Sequence, residues 1–436
     1  MKRATDRPNF VFIMADDLGH ADLSCYGGRA PVSPHLDRMA AEGVRFSDAY
    51  ANSPVCSPTR FALMTGRYQY RLRGAAEEPL TSKYRGSAEI GLAPEHPTLP
   101  SLLRDVGYHT ALVGKWHLGF APHFGPLKSG YQDFFGVMGG GLDYFTHKDT
   151  NGIHDLYDGE VETHEVGYLT DLISERAVRC IEACAQRQQP FFLSVHYTAP
   201  HWPWETRDDE AEAHRIGNQL AHTDGGSVKT YQSMIHHMDE GIGRILATLR
   251  AQGLDENTVV VFTSDNGAER FSDTWPLIGK KMDLLEGGIR VPLIARWPGR
   301  IAAGHVSRQV CITMDWVATF LEWAGVAPHP EYPLDGESLC AHLEALDPPT
   351  LRTLYWRMKY RNQKALREGD WKYLSIEGND YLFNLAQDER ERANHALRDP
   401  QRLARMRAAY ASWCETMPGI PQDAISVLAY ATKDLP

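Results

Sequence analysis

The run Asn9-Phe10-Val11-Phe12-Ile13-Met14 is apolar on successive residues, and Asp16-Asp17 follow it almost at once. A strand solvated on one face would alternate; an unbroken apolar run reads as a strand buried on both faces, as in a parallel sheet. Three further runs repeat the arrangement. His109 to Gly114 leads into Lys115-Trp116-His117, Pro190 to His196 into Thr198-Ala199-Pro200-His201, and Thr258 to Thr263 into Ser264-Asp265-Asn266-Gly267. Helical patterns separate them: Ser33 to Gly43, Thr59 to Thr65, Thr98 to Val106, Leu169 to Arg187 and Lys229 to Gln252. This alternation predicts an α/β fold, a large mostly parallel sheet sandwiched by helices. Ligands of such sheets bind beyond the carboxyl ends of the strands. The four polar clusters are therefore expected around one crevice.

With 436 residues the chain exceeds what one core usually serves. Its texture changes near Pro348. Leu354-Tyr355-Trp356, Lys364 to Arg367, Trp371 to Leu374 and Tyr381 to Asn384 read as short antiparallel strands, and Pro400 to Met417 as a closing helix. The expected division is a catalytic domain over 1–347 and a smaller α+β subdomain over 348–436. A formal net charge of −11 disfavours nucleic acid or an anionic membrane as partner. No apolar stretch approaches the length of a membrane span, and no signal-peptide core precedes the first strand. Seven scattered cysteines do not form a disulfide framework. A cytoplasmic location is expected, or a periplasmic one if a leader has been removed. Cys180 and Cys184, four apart on a predicted helix, offer only two ligands and read as packing thiols.

The strand-end clusters have a coherent chemistry. Asp16, Asp17, Asp265 and Asn266 are hard oxygen donors that suit Ca²⁺, with Mg²⁺ or Mn²⁺ as alternatives, better than Zn²⁺. Arg60, Lys115 and Lys281 are donors suited to an oxyanion, with Lys280 competing for the last place. His117 and His201 titrate near neutrality. Cys56, in Cys56-Ser57-Pro58-Thr59-Arg60, reads equally as a buried thiol at a helix start or as a reactive position. Trp202 and Trp204 are either rim aromatics or loop packing. Asp143, Tyr144, Thr146 and His147 are weaker candidates for the pocket mouth.

These segments together resemble the sulfatase family. Cys56-x-Pro58-x-Arg60 resembles its modification motif, with Thr65-Gly66-Arg67 following as in the family. Asn9 to Gly19, Gly114-Lys115-Trp116-His117-Leu118-Gly119, Thr263 to Gly267 and Lys281 to Pro292 are similar to its other signatures. Gly369 to Tyr373 and Tyr381 to Leu385 resemble its C-terminal sheet. The resemblance implies an alkaline phosphatase-like fold and hydrolysis of a small-molecule sulfate monoester of arylsulfatase type. It implies conversion of Cys56 to formylglycine by a formylglycine-generating enzyme, the aldehyde hydrate being the nucleophile. It implies Ca²⁺ held by Asp16, Asp17, Asp265, Asn266 and an oxygen of modified Cys56. Arg60 would hold the diol, Lys115 and Lys281 the sulfuryl oxygens; His201 would assist the leaving alcohol and His117 release sulfate. A homodimer is compatible with it. Two alternatives stay open: a phosphonate monoester or phosphodiester hydrolase using the same nucleophile, and a catalytically silent sulfate-ester or calcium-binding protein.

Overall fold

The computed structural model describes residues 7–428; the amino-terminal residues read above for a signal sequence, and the end of the tail, lie outside that range. Ten strands form one sheet in the order His305–Ser307, Val44–Phe46, Leu293–Arg296, Thr258–Ser264, Asn9–Ala15, Phe191–His196, His109–Lys115, Asp133–Val137, Leu156–Asp158 and Val161–Glu162. The middle five, from Thr258–Ser264 to Asp133–Val137, are mutually parallel. Four of them are the apolar runs without alternation, and the reason is visible in Asn9–Ala15. Phe10, Phe12 and Met14 enter a core on one face of the sheet with the helices Cys56–Thr65 and Asp315–Ala324. Val11, Ile13 and Ala15 enter a second core on the other face with Leu169–Arg187 and Val228–Ala251. Successive side chains point to opposite faces, so a strand covered on both sides must be apolar at every position. Each fully buried large side chain contributes about 1.5–3 kcal/mol.

The helix boundaries follow local chemistry. Leu99–Arg104 starts at a capping box formed by Thr98 and Ser101, and Val228–Ala251 starts where Ser227 accepts from the Thr230 amide. The helix expected from Thr59 begins earlier, at Cys56 itself. Pro58 lies in its first turn, where no intrahelical N–H donor is required. Helix Asp315–Ala324 was not foreseen.

A four-stranded antiparallel sheet, Thr353–Arg357, Lys364–Glu368, Trp371–Ile376 and Asn379–Asn384, follows. One face packs Leu366, Tyr373 and Leu382 against Met406 and Tyr410 of helix Pro400–Glu415. The other contributes Leu354, Trp356, Ala365 and Leu374 to a cluster that also holds Tyr50, Val55, Cys56 and Ala62. The small sheet thus braces the helix that carries Cys56.

Candidate active site

Each predicted cluster emerges at the carboxyl end of a parallel strand. Asp16 and Asp17 follow Asn9–Ala15; Lys115 ends its strand and His117 lies two residues on; Asp265 and Asn266 follow Thr258–Ser264; His201 lies on the loop after Phe191–His196. Two of these positions have left-handed backbones, Asp17 (φ 65°) and His117 (φ 63°). Such conformations in residues other than glycine store strain and gather at functional sites. Cys56 comes from the helix beside them. Thr59 Oγ1 bonds the Ser53 amide and carbonyl, at 3.0 and 3.1 Å, and pins the approach to that helix. Arg60 is one turn beyond Cys56, so both project from one helix face.

The charged groups interlock. Arg60 donates through Nε and Nη2 to Asp265 Oδ2, at 3.0 and 2.8 Å, and through Nη1 to the Lys115 carbonyl at 3.1 Å. Lys115 Nζ donates to Asp16 Oδ2. Lys281 Nζ donates to Asp17 Oδ2 at 2.8 Å, Asn266 Nδ2 to Asp17 Oδ1 at 2.7 Å, and His201 Nε2 stands 3.5 Å from Asp17. The three carboxylates, Asn266 and Lys115 are wholly buried. Burial, reinforced by Asp265, pushes the Asp16 carboxyl up to about 8 against the pull of Lys115. Burial pushes Asp17 the same way, but Lys281, His201 and Asn266 outweigh it and hold it at about 2. Lys281 keeps its proton: Asp17, Cys56 and Glu269 outweigh burial and raise it well above the ordinary lysine value. Burial holds His117 and His201 neutral, well below the ordinary histidine value, in His201 despite Asp17.

A cation fits this arrangement. Asp16 Oδ1 and Asn266 Oδ1 are buried without a hydrogen-bond partner, an arrangement that costs free energy unless something else coordinates them. The ligand atoms of Asp16, Cys56 and Asp265 lie within 4.8 Å of one another, as do those of Asp16, Asp17 and His201. Burial also raises the Cys56 thiol, despite Lys115 and Lys281. An unaltered Cys56 is therefore a protonated thiol, unlike the depressed thiolates of cysteine nucleophiles.

The model of the sulfatase family matches residues 8–326, and that of the N-sulphoglucosamine sulphohydrolase C-terminal region matches residues 275–401. The chain belongs to the sulfatase family. The N-acetylgalactosamine-6-sulfatase of Rattus norvegicus is 36% identical over 356 residues, 77% of this chain and 66% of that protein. The chain thus spans slightly under two thirds of that relative's length. Arylsulfatase A of Homo sapiens is 31% identical over 404 residues, 84% of this chain and 74% of that protein. Among solved structures, Ps i-CgsB superposes with a TM-score of 0.85 at 29% identity, covering 96% of this chain and 95% of that one. Its complex with k-i-k-neocarrahexaose gives 0.83 at 30% identity, covering 93% and 92%.

The cluster opens into a cavity of about 290 Å³, lined among others by Cys56, Leu80, His117, Trp202, Glu269 and Lys281. Cys56, His117, His201 and Lys281 line it, and Asp16, Asp17, Arg60, Lys115, Asp265 and Asn266 form the buried network joined to them. The two tryptophans divide: Trp202 lines the cavity, whereas Trp204 is buried against Phe271. Tyr144 stands behind the mouth, its hydroxyl donating to the carbonyls of Thr198 and His201, each at 2.9 Å. A Cβ at Gly140 would stand 2.5 Å from the His117 ring, so this position needs glycine.

Several contributors escaped the sequence reading. Glu269 faces Lys281, and burial pushes it up to about 7. It is a lone acid three residues past Asn266, with no motif to mark it. His196 Nδ1 lies 3.2 Å from the Lys115 carbonyl, hidden as the last residue of an apolar strand. Val427 and Leu428 also line the cavity, brought there from the far end of the sequence.

Proposed function

We propose that this chain hydrolyses sulfate monoesters with a formylglycine nucleophile made from Cys56 by a formylglycine-generating enzyme. The observation that carries the reading is the meeting of a buried, protonated Cys56 with unsatisfied hard oxygens and three fixed cations in one cleft. The donor set suits Ca²⁺, held by Asp16, Asp17, Asp265, Asn266 and the altered side chain at position 56. When bound it supplies a Lewis acid beside the nucleophilic hydroxyl.

The chain's own groups do the rest. Arg60 orients Asp265 and, one helical turn from position 56, is placed to hold the hydrated side chain there. Lys115 and Lys281 are poised to bind sulfuryl oxygens, whose charge they stabilise as the ester bond breaks. His201 Nδ1 bonds the Trp202 carbonyl at 2.7 Å, which directs Nε2 into the cleft. An anion bound there favours the protonated imidazole, so His201 becomes competent to protonate the leaving alcohol. His117 Nε2 donates to the Leu80 carbonyl at 2.7 Å, and Nδ1 is left without a partner. That tautomer makes Nδ1 the base for the step that frees sulfate. Trp202 on the wall supports a flat aryl or sugar leaving group. All seven cysteines are free, which supports action in the cytoplasm; recovery of the protein in a periplasmic fraction would refute that.

The test pairs mass spectrometry of the Cys56 peptide with a panel of aryl sulfates, sugar sulfates, choline sulfate and phenylphosphonates. Formylglycine together with a preference for sulfates is expected. An unmodified thiol in active protein would overturn the mechanism. Faster turnover of phosphonates would replace the reaction class, and no turnover by modified protein would leave a binding protein.

A further inference from the structure

The structure points to a second metal site at the opposite end of the sheet: we infer that Cys180, Cys184 and His109 bind a thiophilic divalent cation of the Zn²⁺ type. Cys180 and Cys184 lie one turn apart on helix Leu169–Arg187, so their side chains share a face. That helix packs on strand His109–Lys115, whose first residue faces the two thiols. The two sulfurs and a ring nitrogen of His109 lie within 4.8 Å of one another. Tetrahedral zinc, with Zn–S near ~2.3 Å and Zn–N near ~2.0 Å, needs ligand atoms roughly 3.5–4 Å apart. Small rotations about the side-chain bonds close that gap.

A further feature favours a ligand set over chance packing. His109 Nε2 donates to Asp133 Oδ2 at 2.8 Å, from the first residue of the neighbouring strand. This is the carboxylate–histidine arrangement that orients a metal-bound imidazole and leaves Nδ1 for the ion. Cys184 and His109 are buried, Cys180 is half-buried and Asp133 is exposed. The fourth position therefore opens to solvent. Two cysteines alone were too few for zinc; the fold supplies the third ligand from a residue 71 positions before Cys180. His109 and Lys115 end the same strand, about 20 Å apart at the rise of a strand. The ion would fasten helix to sheet and take no part in hydrolysis.

The experiment uses full-length Cys56→Ser protein, reduced and stripped of metal, so that the oxygen-rich cleft lacks a sulfur. Titration with Co²⁺ is expected to give a sulfur-to-cobalt charge-transfer band that saturates at one equivalent and disappears on adding Zn²⁺. The band should be lost in Cys184→Ala and in the more accessible Cys180→Ser. Asp133→Asn should weaken Zn²⁺ binding about tenfold. Absence of the band in Cys56→Ser, or its survival when either Cys180 or Cys184 is replaced, would overturn the site. So would a Cys180–Cys184 disulfide in the protein as isolated. If Cys184→Ala does not fold, Cys180→Ser decides. None of these readouts depends on the hydrolytic reading.

Discussion

At the scale of single residues, Lys115 and Glu205 do opposite kinds of work. Lys115 is a buried cation beside Asp16, placed to meet the charged oxygens of an ester. Removing one such donor costs about 10²–10³ in rate. Lys115→Ala is thus expected to lower kcat/KM by at least about tenfold while the protein remains folded; near-wild-type kinetics would remove Lys115 from the mechanism. Glu205 is wholly buried, and burial, with Asp143 beside it, pushes its carboxyl up to about 9. It is protonated in the native state at neutral pH, whereas in the unfolded chain it ionises near the ordinary glutamate value of 4.5. Its contribution to stability is therefore complete below that value and is lost as pH rises towards about 9. Glu205→Gln keeps the shape and removes the titration. Its melting temperature relative to wild type should rise steadily between pH 5 and pH 9; a constant difference would refute a buried neutral acid.

At the scale of elements, the join between the small sheet and the cleft is electrostatic as well as apolar. Lys372, on Trp371–Ile376, reaches Glu286 at 2.8 Å and Glu391 at 2.9 Å, with all three groups buried. Glu286 opens the short helix Glu286–Ile289, five residues after Lys281. Lys372→Met would strand two carboxylates, and breaking a buried pair costs about 3–5 kcal/mol. Denaturant melts should show that loss, with partial recovery in Lys372→Met/Glu391→Gln. An unchanged midpoint would mean that the network carries no stability. The elements themselves were readable where one rule dominated. The parallel strands announced themselves by unbroken apolar runs, and the small sheet by short alternating strands. Helix Asp315–Ala324 did not, because it is buried among both sheet and helices and shows eight buried positions in ten, with little polar face to reveal a period. Pairings such as Leu293–Arg296 running antiparallel beside Thr258–Ser264 are set by distant partners, which local pattern does not encode.

At the scale of the whole molecule, a segment from the far end of the sequence is brought to the site. The tail after Gly419 had no legible role in the sequence. In the fold Ser426 pairs with Glu78 as a parallel bridge, with Val427 N donating to Glu78 O at 2.8 Å and Ser426 Oγ to Glu78 Oε2 at 2.7 Å. Glu78 lies two residues before Leu80, whose carbonyl holds His117. Deleting 420–436 should raise KM for extended saccharide sulfates about tenfold, the worth of one or two apolar contacts. It should change turnover of a small aryl sulfate little; equal losses for both substrates would mean that the tail serves stability alone. The catalytic cluster was far more legible than this wall, because its residue types are dictated by chemistry, whereas Val427, Leu428 and the carbonyl of Leu80 could be any apolar residue or any backbone.

The interlocked charges of the cleft carry one more consequence. Arg60 and Lys281 are offset by Asp265 and Asp17, and Lys115 lies against Asp16, so the cleft's own side chains show a distant anion only a small excess of positive charge. The molecule around it carries −11. An approaching sulfate ester is repelled at long range and attracted only on arrival, the reverse of electrostatic steering. Encounter, rather than chemistry, should then be the step that responds to ionic strength: kcat/KM for a polyanionic ester is expected to rise as salt is first added, while kcat stays level. A monotonic fall in stopped-flow association rates would show that the cleft attracts its anion from afar.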